Sequence, residues 1–186
     1  MRADAQRNRA LLLDAARRTF AERGTDASLE EVARRAGVGI GTLYRHFPTR
    51  ADLVAGVYSS EVENLCNTAD VLLATHAPDM ALQEWMGGFI DYVEVKRGLV
   101  GALKTLLGEE SPFFQQTRTL LNATMAKMVS TAVEAGSIRA DADPDDLLRG
   151  VGGFCTFNVT EGWQDQARRL VGILMDGLRA GAPAQN

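Results

Sequence analysis

The stretch from Ser28 to Arg50 carries the side chains whose types and spacing best suit chemistry with a ligand. Two short helical patterns, 29–36 and 40–46, are separated by Gly37-Val38-Gly39. This arrangement predicts a helix-turn-helix, in which the second helix enters the major groove of DNA and bonds to base edges. The outer face of that helix needs small and polar residues, which are Gly41, Thr42, Arg45 and His46.

Three local features must position this second helix. The turn must be tight, and Gly37 permits the positive φ that it requires. One apolar face must dock on a first helix, 6–23, and we expect this face to comprise Val32, Ala36, Ile40, Leu43 and Phe47. Ser28 and Glu31 are spaced as a capping box, in which the Ser28 hydroxyl caps a backbone N–H and Glu31 reaches back.

The charge distribution also favours a nucleic-acid partner at the N-terminal end. Residues 1–50 hold ten arginines against six acidic residues, whereas the rest of the chain holds ten Lys/Arg against eighteen acidic residues. A basic quarter on an acidic body is typical of a protein that meets phosphate at one end. A solvated helical surface would show the same charges, so charge alone leaves both interpretations open.

Composition narrows the class of protein. The chain has 186 residues, 46 % apolar and 24 % charged, which is the balance of a globular protein. No run approaches 18 apolar residues, and three consecutive leucines near the N-terminus are too few for a signal peptide. Cys66 and Cys155 fit neither a disulfide framework nor a metal motif. We therefore expect a cytoplasmic protein without membrane span, metal or cofactor.

Other chemistries lack the residues they need. The sequence Gly-Val-Gly-Ile-Gly-Thr at 37–42 departs from the dinucleotide-binding pattern, and no strand pattern precedes it. Asp143, Asp145 and Asp146 lack the spacing of a calcium loop, and helix capping explains them. With two histidines and no arrangement of Ser, His and Asp, the sequence predicts no catalytic residues.

Helical spacing without strand signals predicts an all-α protein of about nine helices. Pro48 ends the third helix, and Thr49 with Asp52 caps a fourth, 49–74. The expected later helices are 79–96, 99–108, 112–135, 144–159 and 163–180, with breaks at Gly98, Gly136 and Gly162. We expect a DNA-binding domain over 1–56 and a helical-bundle regulatory domain over 57–186.

The sequence from Leu11 to Val54 resembles the DNA-binding domain of the tetracycline-repressor (TetR) family of bacterial regulators. The resemblance rests on FAERG in the first helix, SLEEVARRAGV, and GTLYRHFPTRADL in register. It covers about residues 9–60, and the rest of the chain carries no matching motif. The resemblance implies an all-helical homodimer whose C-terminal domain binds a small effector.

The resemblance also implies roles for single residues. Ile40, Gly41 and Thr42 would lie against the major groove, after Gly39, where the family often has Ser. Tyr44 and His46 would reach phosphates, and Arg45 would point toward bases or a phosphate. Arg50 would clamp the DNA backbone, and Ser28 would contact a phosphate near a helix N-terminus. Three alternatives stay open: Tyr44 could pack on the first helix, the Thr42 hydroxyl could bond to its own helix, and His46 could be an ordinary exposed or core histidine.

The C-terminal two thirds hold most of the aromatic residues and several methionines. Such side chains line ligand cavities between helices, but they also fill ordinary cores. The candidate ligand-binding residues are Trp85, Phe89, Tyr92, Phe113, Phe114, Met125, Met128, Phe154 and Phe157. Gly87 and Gly88 are costly inside a helix, which suggests a bend or a close approach there.

The last two expected helices are apolar on more than one face, as in the segment Val171-Gly172-Ile173-Leu174-Met175. Such helices need a second cover, so we expect a homodimer through a four-helix bundle. Together with this expected dimer, the family resemblance implies a ligand-responsive repressor that binds a palindromic operator and is released by an effector, which we expect to be largely apolar. The alternatives are an activator, a regulator without effector, or a helical enzyme or small-molecule carrier.

Overall fold

The computed structural model describes residues 2–108, 111–156 and 160–181. Within these ranges the chain forms eight helices and no strand, which confirms the all-α class. The helices are α1 (Arg2–Arg23), α2 (Leu29–Arg35), α3 (Ile40–His46), α4 (Arg50–Thr75), α5 (Pro78–Leu107), α6 (Pro112–Glu134), α7 (Pro144–Thr156) and α8 (Trp163–Ala180).

Local sequence signals fix most helix ends. At the start of α4, the Thr49 backbone N–H and hydroxyl both donate to Asp52 Oδ2, at 2.9 and 2.7 Å, and the Asp52 N–H donates to Thr49 Oγ1 at 3.1 Å. At the start of α7, the Asp146 N–H donates to Asp143 Oδ1 at 3.0 Å. Both predicted caps are confirmed. Gly24 and Gly37 have φ of 78° and 71°, in the left-handed region that favours glycine.

The predicted helix break at Gly98 is wrong, because 79–96 and 99–108 belong to one continuous helix, α5. A single interior glycine costs about 1 kcal/mol relative to alanine, which burial of neighbouring side chains outweighs. Leu99 and Leu103 supply that burial, since they are 3 % and 0 % exposed. Merging the two helices reduces the expected nine to the eight that the structure describes.

The chain divides into two compact units. The first comprises Met1–Glu61 and Glu94–Pro112, and the second comprises Val62–Val93 and Phe113–Asn186. The expected domain division after residue 56 stays a prediction. The first unit contains the later half of α5, which no motif in the sequence had associated with the N-terminal helices.

Each unit has its own buried side chains. In the first unit, Leu12, Val32 and Leu43 are completely buried, which holds α1, α2 and α3 around one core. In the second unit, the buried Trp85 indole N–H donates to the Leu65 carbonyl at 3.0 Å. None of the helices in the described ranges is both long and apolar enough to cross a membrane.

Candidate nucleic-acid interface

Helix α3 presents its polar face to solvent while its apolar face is buried. Leu43 is 0 % and Phe47 3 % exposed, whereas Tyr44 is 46 % exposed. Gly39 precedes the helix in an extended conformation without a side-chain cap. The structure therefore leaves the backbone N–H groups at the start of α3 without a side-chain partner from the N-cap residue.

One residue assigned to the docking face lies elsewhere. Ile40 is 36 % exposed, so it is not part of the buried set that Val32, Ala36, Leu43 and Phe47 form. Ile40 is the first residue of α3, and no earlier turn of that helix covers its side chain. This exposure suits the position against DNA that the family resemblance implies, and it excludes the predicted docking role.

Thr42 and Arg45 lie together on the exposed face. The Arg45 Nε–H donates to the Gly41 carbonyl at 3.2 Å, and Nη2 lies 3.5 Å from the Thr42 hydroxyl oxygen. The guanidinium thus folds back over the first turn of its own helix. A hydroxyl and a guanidinium side by side can bond to adjacent acceptors on base edges.

The end of α3 is held by Phe47, whose ring packs between α1 and α4. The Arg9 guanidinium lies over this ring, 5.5 Å from its centroid. A Cβ built on Gly56 would lie 2.7 Å from Phe47 Cε1 and 3.2 Å from Leu13 Cδ2. Only glycine at this position of α4 therefore lets the ring approach so closely. His46, next to Phe47, stays half-buried.

Arg50 is engaged inside the first unit. Its Nη1 donates to the carbonyls of Thr25 and Ala27, at 2.7 and 2.6 Å. These bonds fasten the start of α4 to the loop between α1 and α2. Because both use Nη1, the N–H groups of Nε and Nη2 remain for another acceptor. The phosphate contact of Arg50 stays a prediction. The structure adds a second role for this residue, which is to position the start of α4 against the α1–α2 loop.

The capping box at Ser28 is only half formed. The Glu31 N–H approaches Ser28 Oγ at 3.4 Å, but the Ser28 hydroxyl donates to Glu30 Oε2 at 2.6 Å. Glu31 does not reach back, since its carboxylate pairs with Arg23 and with Arg35 Nε, the latter at 3.1 Å. The bond that Glu31 would accept from the Ser28 N–H is also charge-assisted, but Arg23 and Arg35 offer this carboxylate two fully charged donors instead. The Ser28 hydrogen bond holds the pKa of Glu30 below its ordinary value.

Ion pairs divide the nine arginines at positions 7–50 into two groups. Arg17, Arg18, Arg23, Arg34 and Arg35 each pair with a carboxylate. Among the residues that the structure describes, Arg7, Arg9, Arg45 and Arg50 have no carboxylate partner. The second group lies at the start of α1, on α3 and at the start of α4, so its charges are the ones available to an anion.

The predicted ligand-binding residues mostly lie in the core of the second unit. Trp85, Met125 and Met128 are 0 % exposed, and Phe89 and Tyr92 are also buried. Phe89 packs on both Trp85 and Tyr92, with ring centroids 6.1 and 5.6 Å apart. Phe113, Phe114 and Phe154 are half-buried, and Phe157 lies outside the described residues.

A half-open groove of about 370 Å³ lies elsewhere in the second unit. Its lining comes from α4, α5 and α8, and comprises Thr68, Leu72, Gln83, Glu84, Gly87, Gly88, Asp91, Arg168 and Val171. None of the predicted ligand-binding residues lines it. The unusual Gly87-Gly88 pair was the signal in the sequence that marked this place. Within the described ranges, no three His, Cys, Asp or Glu side chains could hold a metal ion.

Sequence reasoning missed two residues that position α3. Arg9 counted only as one of ten arginines, and Gly56 carried no motif. Both residues contact Phe47 from other helices, Arg9 from α1 and Gly56 from α4, so the folded chain alone reveals these contacts. A glycine in the interior of a long helix was the available signal for Gly56.

Family models match both ends of the chain. The model described as "Bacterial regulatory proteins, tetR family" matches residues 12–57. The model described as "Transcriptional regulator SbtR-like, C-terminal domain" matches residues 77–180. A curated HTH-type transcriptional regulator of Staphylococcus aureus is 38 % identical over 64 residues, which are 34 % of this chain and 35 % of that protein. The chain thus aligns with about a third of the length of such curated relatives.

Solved structures match over nearly the whole chain. A TetR transcriptional regulator from Streptomyces coelicolor is 38 % identical with a TM-score of 0.84, covering 95 % of this chain and 99 % of that one. A TetR regulatory protein from Mycobacterium vanbaalenii is 35 % identical with a TM-score of 0.79, covering 96 % and 98 %. These regulators are not enzymes. The helix-turn-helix, its exposed polar face and these matches together place the chain in the TetR family of transcriptional regulators.

Proposed function

We propose that this regulator is a homodimeric repressor that covers a palindromic operator and leaves it when an effector binds the second unit. The observation that carries the DNA-binding part is the exposed face of α3, with Thr42 beside Arg45. Its opposite face is buried, so the helix is held rigidly enough to read bases. As a protein that acts on operator DNA, it works in the bacterial cytoplasm.

The DNA contacts fall into two kinds. Thr42 and Arg45 read base edges, with Ile40 and Gly41 close to the groove wall. Tyr44 and His46 contact phosphates, and Ser28 does so when its hydroxyl turns from the Glu30 carboxylate to a phosphate oxygen. Arg50 adds its free N–H groups to one phosphate while it holds the α1–α2 loop. Phosphate contacts set the position of the protein, whereas base contacts set the sequence that it prefers.

The dimer is supported by an apolar surface on α8. Trp163, Val171 and Met175 are buried on one face, yet Ile173 is 68 % exposed. Leu170 and Leu174 are only half-buried beside it. A second copy of the chain would cover this face through α7 and α8, which gives a two-fold interface. That symmetry would space the two recognition helices about 34–36 Å apart, one turn of DNA.

Effector response is supported by the groove in the second unit, which is the size of a small-molecule site. An effector weakens DNA binding only by its preference for the conformation that does not fit the operator, typically about 1–3 kcal/mol. An activator, or a regulator without effector, would share the same interface with DNA. A reporter gene behind the operator distinguishes repression from activation.

Selection of bound sequences from random DNA tests the proposal. The expected product is an inverted repeat, bound with nanomolar affinity at physiological salt. Fluorescence anisotropy then compares this operator with a scrambled duplex, in wild type and in Thr42→Ala with Arg45→Ala. The double variant should lose most of the preference while it keeps non-specific affinity. Selection that returns no common sequence would refute the proposal.

A further inference from the structure

The groove in the second unit has the dimensions of a ligand site, and one of its sides carries a glycine between two carboxylates. Its volume of about 370 Å³ lies within the range of small-molecule pockets. Residues of α5 form one side, with Glu84 and Asp91 two helical turns apart and Gly87 between them. Leu72 of α4 and Val171 of α8 supply the apolar lining.

Gly87 has no structural need to be glycine. Its φ is not in the left-handed region, and a Cβ built on it would meet no atom within 4 Å. Its neighbour Gly88 differs, because a Cβ there would lie 3.2 Å from Leu65 Cδ1. Close packing therefore explains Gly88, whereas at Gly87 the missing side chain leaves the groove open at a cost in helix stability.

The charges that line the groove do not balance. Asp91 forms an ion pair with Arg168 across the groove. Gln83 accepts a hydrogen bond from Arg179 Nη2 at 3.0 Å, so its carbonyl oxygen is already engaged. Among the residues that the structure describes, Glu84 has no ion-pair partner. One carboxylate thus faces the groove uncompensated.

We propose that this groove binds a small organic cation, with its ammonium group on the Glu84 carboxylate and its apolar body across Gly87 against Leu72 and Val171. A cation gains a charge-assisted hydrogen bond at Glu84. An anion would meet Glu84 and would have to displace Asp91 from Arg168. The statement that this groove is the effector site rests on the proposed function. Its binding of a cation does not, because that binding is tested without DNA.

The groove stays accessible in the proposed dimer. Arg168 lines it, whereas Ile173 belongs to the exposed apolar face of α8. Five residues along an α-helix correspond to a rotation of about 140°, so these two side chains point to well-separated directions. Occupation of the groove and dimerisation therefore do not compete for the same surface.

The test compares three probes of equal chain length, which are n-hexylamine, n-hexanol and sodium hexanoate. Each is titrated into the full-length protein at pH 7, and amide signals of residues 84–91 are followed by two-dimensional NMR. We expect hexylamine to shift these signals with saturation. Hexanol should bind at least about fivefold more weakly, and hexanoate more weakly still.

Two variants and one control variant locate the site. Gly87→Leu should abolish hexylamine binding by filling the groove, whereas Gly98→Leu makes the same change on α5 at a glycine that lines no part of it. Glu84→Gln, an exposed position, should weaken hexylamine about fivefold and leave hexanol unchanged. Circular dichroism confirms that each variant is folded.

Equal affinity for hexylamine and hexanoate would overturn the proposal, as would hexylamine binding that survives Gly87→Leu. Operator binding is measured on the same wild-type sample. A protein that binds hexylamine in the groove but selects no operator would refute the proposed function and leave the cation site standing. A protein that binds its operator but not hexylamine would do the reverse.

Discussion

Gly56→Ala should impair sequence-specific DNA binding although the residue does not touch DNA. The new methyl group would lie 2.7 Å from Phe47 Cε1 and 3.2 Å from Leu13 Cδ2. Carbon atoms pack at about 3.5–4.0 Å, so the ring has to retreat by about 1 Å. Phe47 ends α3, and its N–H donates to the Leu43 carbonyl at 2.8 Å. Movement of the ring therefore carries the recognition helix with it.

The expected magnitudes follow from two opposing terms. Alanine gains about 1 kcal/mol over glycine inside a helix. Overpacking costs about 1–3 kcal/mol, so the variant should lose about 0–2 kcal/mol of stability in urea unfolding. A well-placed side-chain contact to a base contributes about 1–3 kcal/mol of discrimination. Operator affinity should thus fall about tenfold, while affinity for scrambled DNA changes by less than about twofold.

Fluorescence anisotropy on both duplexes measures the ratio of operator affinity to scrambled-DNA affinity, and Gly98→Ala is the matched control. A Cβ at Gly98 meets no atom within 4 Å, so that variant should gain about 1 kcal/mol of stability and keep the wild-type ratio. Adding Phe47→Leu to Gly56→Ala removes the obstructing ring atom and should recover part of the ratio. A Gly56→Ala protein that is more stable than wild type and equally selective would refute this reasoning.

Three further outcomes are expected. Ile173→Arg should yield a folded monomer by light scattering with weakened operator binding, whereas Val71→Arg, at a residue 63 % exposed, should remain dimeric. Arg50→Ala should lower both operator affinity and thermal stability, because it removes two hydrogen bonds to the α1–α2 loop as well as a phosphate contact. An unchanged melting temperature would contradict the positioning role of Arg50. Burial raises the pKa of Glu61 against the opposing effect of Arg17, so the folded state holds this proton more tightly than the unfolded state and stability falls as pH rises from 4.5 through the raised pKa. Glu61→Gln should therefore gain stability over wild type at pH 7 and lose that advantage at pH 4, as urea unfolding at both values would show.

Local sequence signals predicted the helix-turn-helix well because its determinants are close in the chain. The cap formed by Thr49 and Asp52 depends on residues three positions apart, and the turn at Gly37 depends on one φ angle. The break expected at Gly98 failed for the opposite reason. The low helix propensity of Gly98 is a local signal, whereas the burial of Leu99 and Leu103 that outweighs it exists only in the folded chain.

The parts of the site that escaped prediction depend on tertiary contacts. Arg50 reaches carbonyls more than twenty residues away, and Gly56 matters only because Phe47 lies against it. The groove also depends on tertiary contacts, because the ion pair across it joins Arg168 to Asp91, which are 77 positions apart in the sequence. Aromatic content pointed instead to Trp85 and its neighbours, which are equally suited to a core and are buried in one.

Because α5 belongs to both compact units, the protein cannot be divided into two independent fragments by a single cut in the chain. The first unit is not a contiguous cassette, because Glu94–Pro112 belongs to it as well as Met1–Glu61. A fragment that stops near residue 61 would lack Leu99 and Leu103, both almost fully buried in the intact chain. Recombination between relatives at this boundary would likewise join an N-terminal segment to a foreign α5. A fragment or chimera that contains the first unit should therefore include α5, which supplies part of its core.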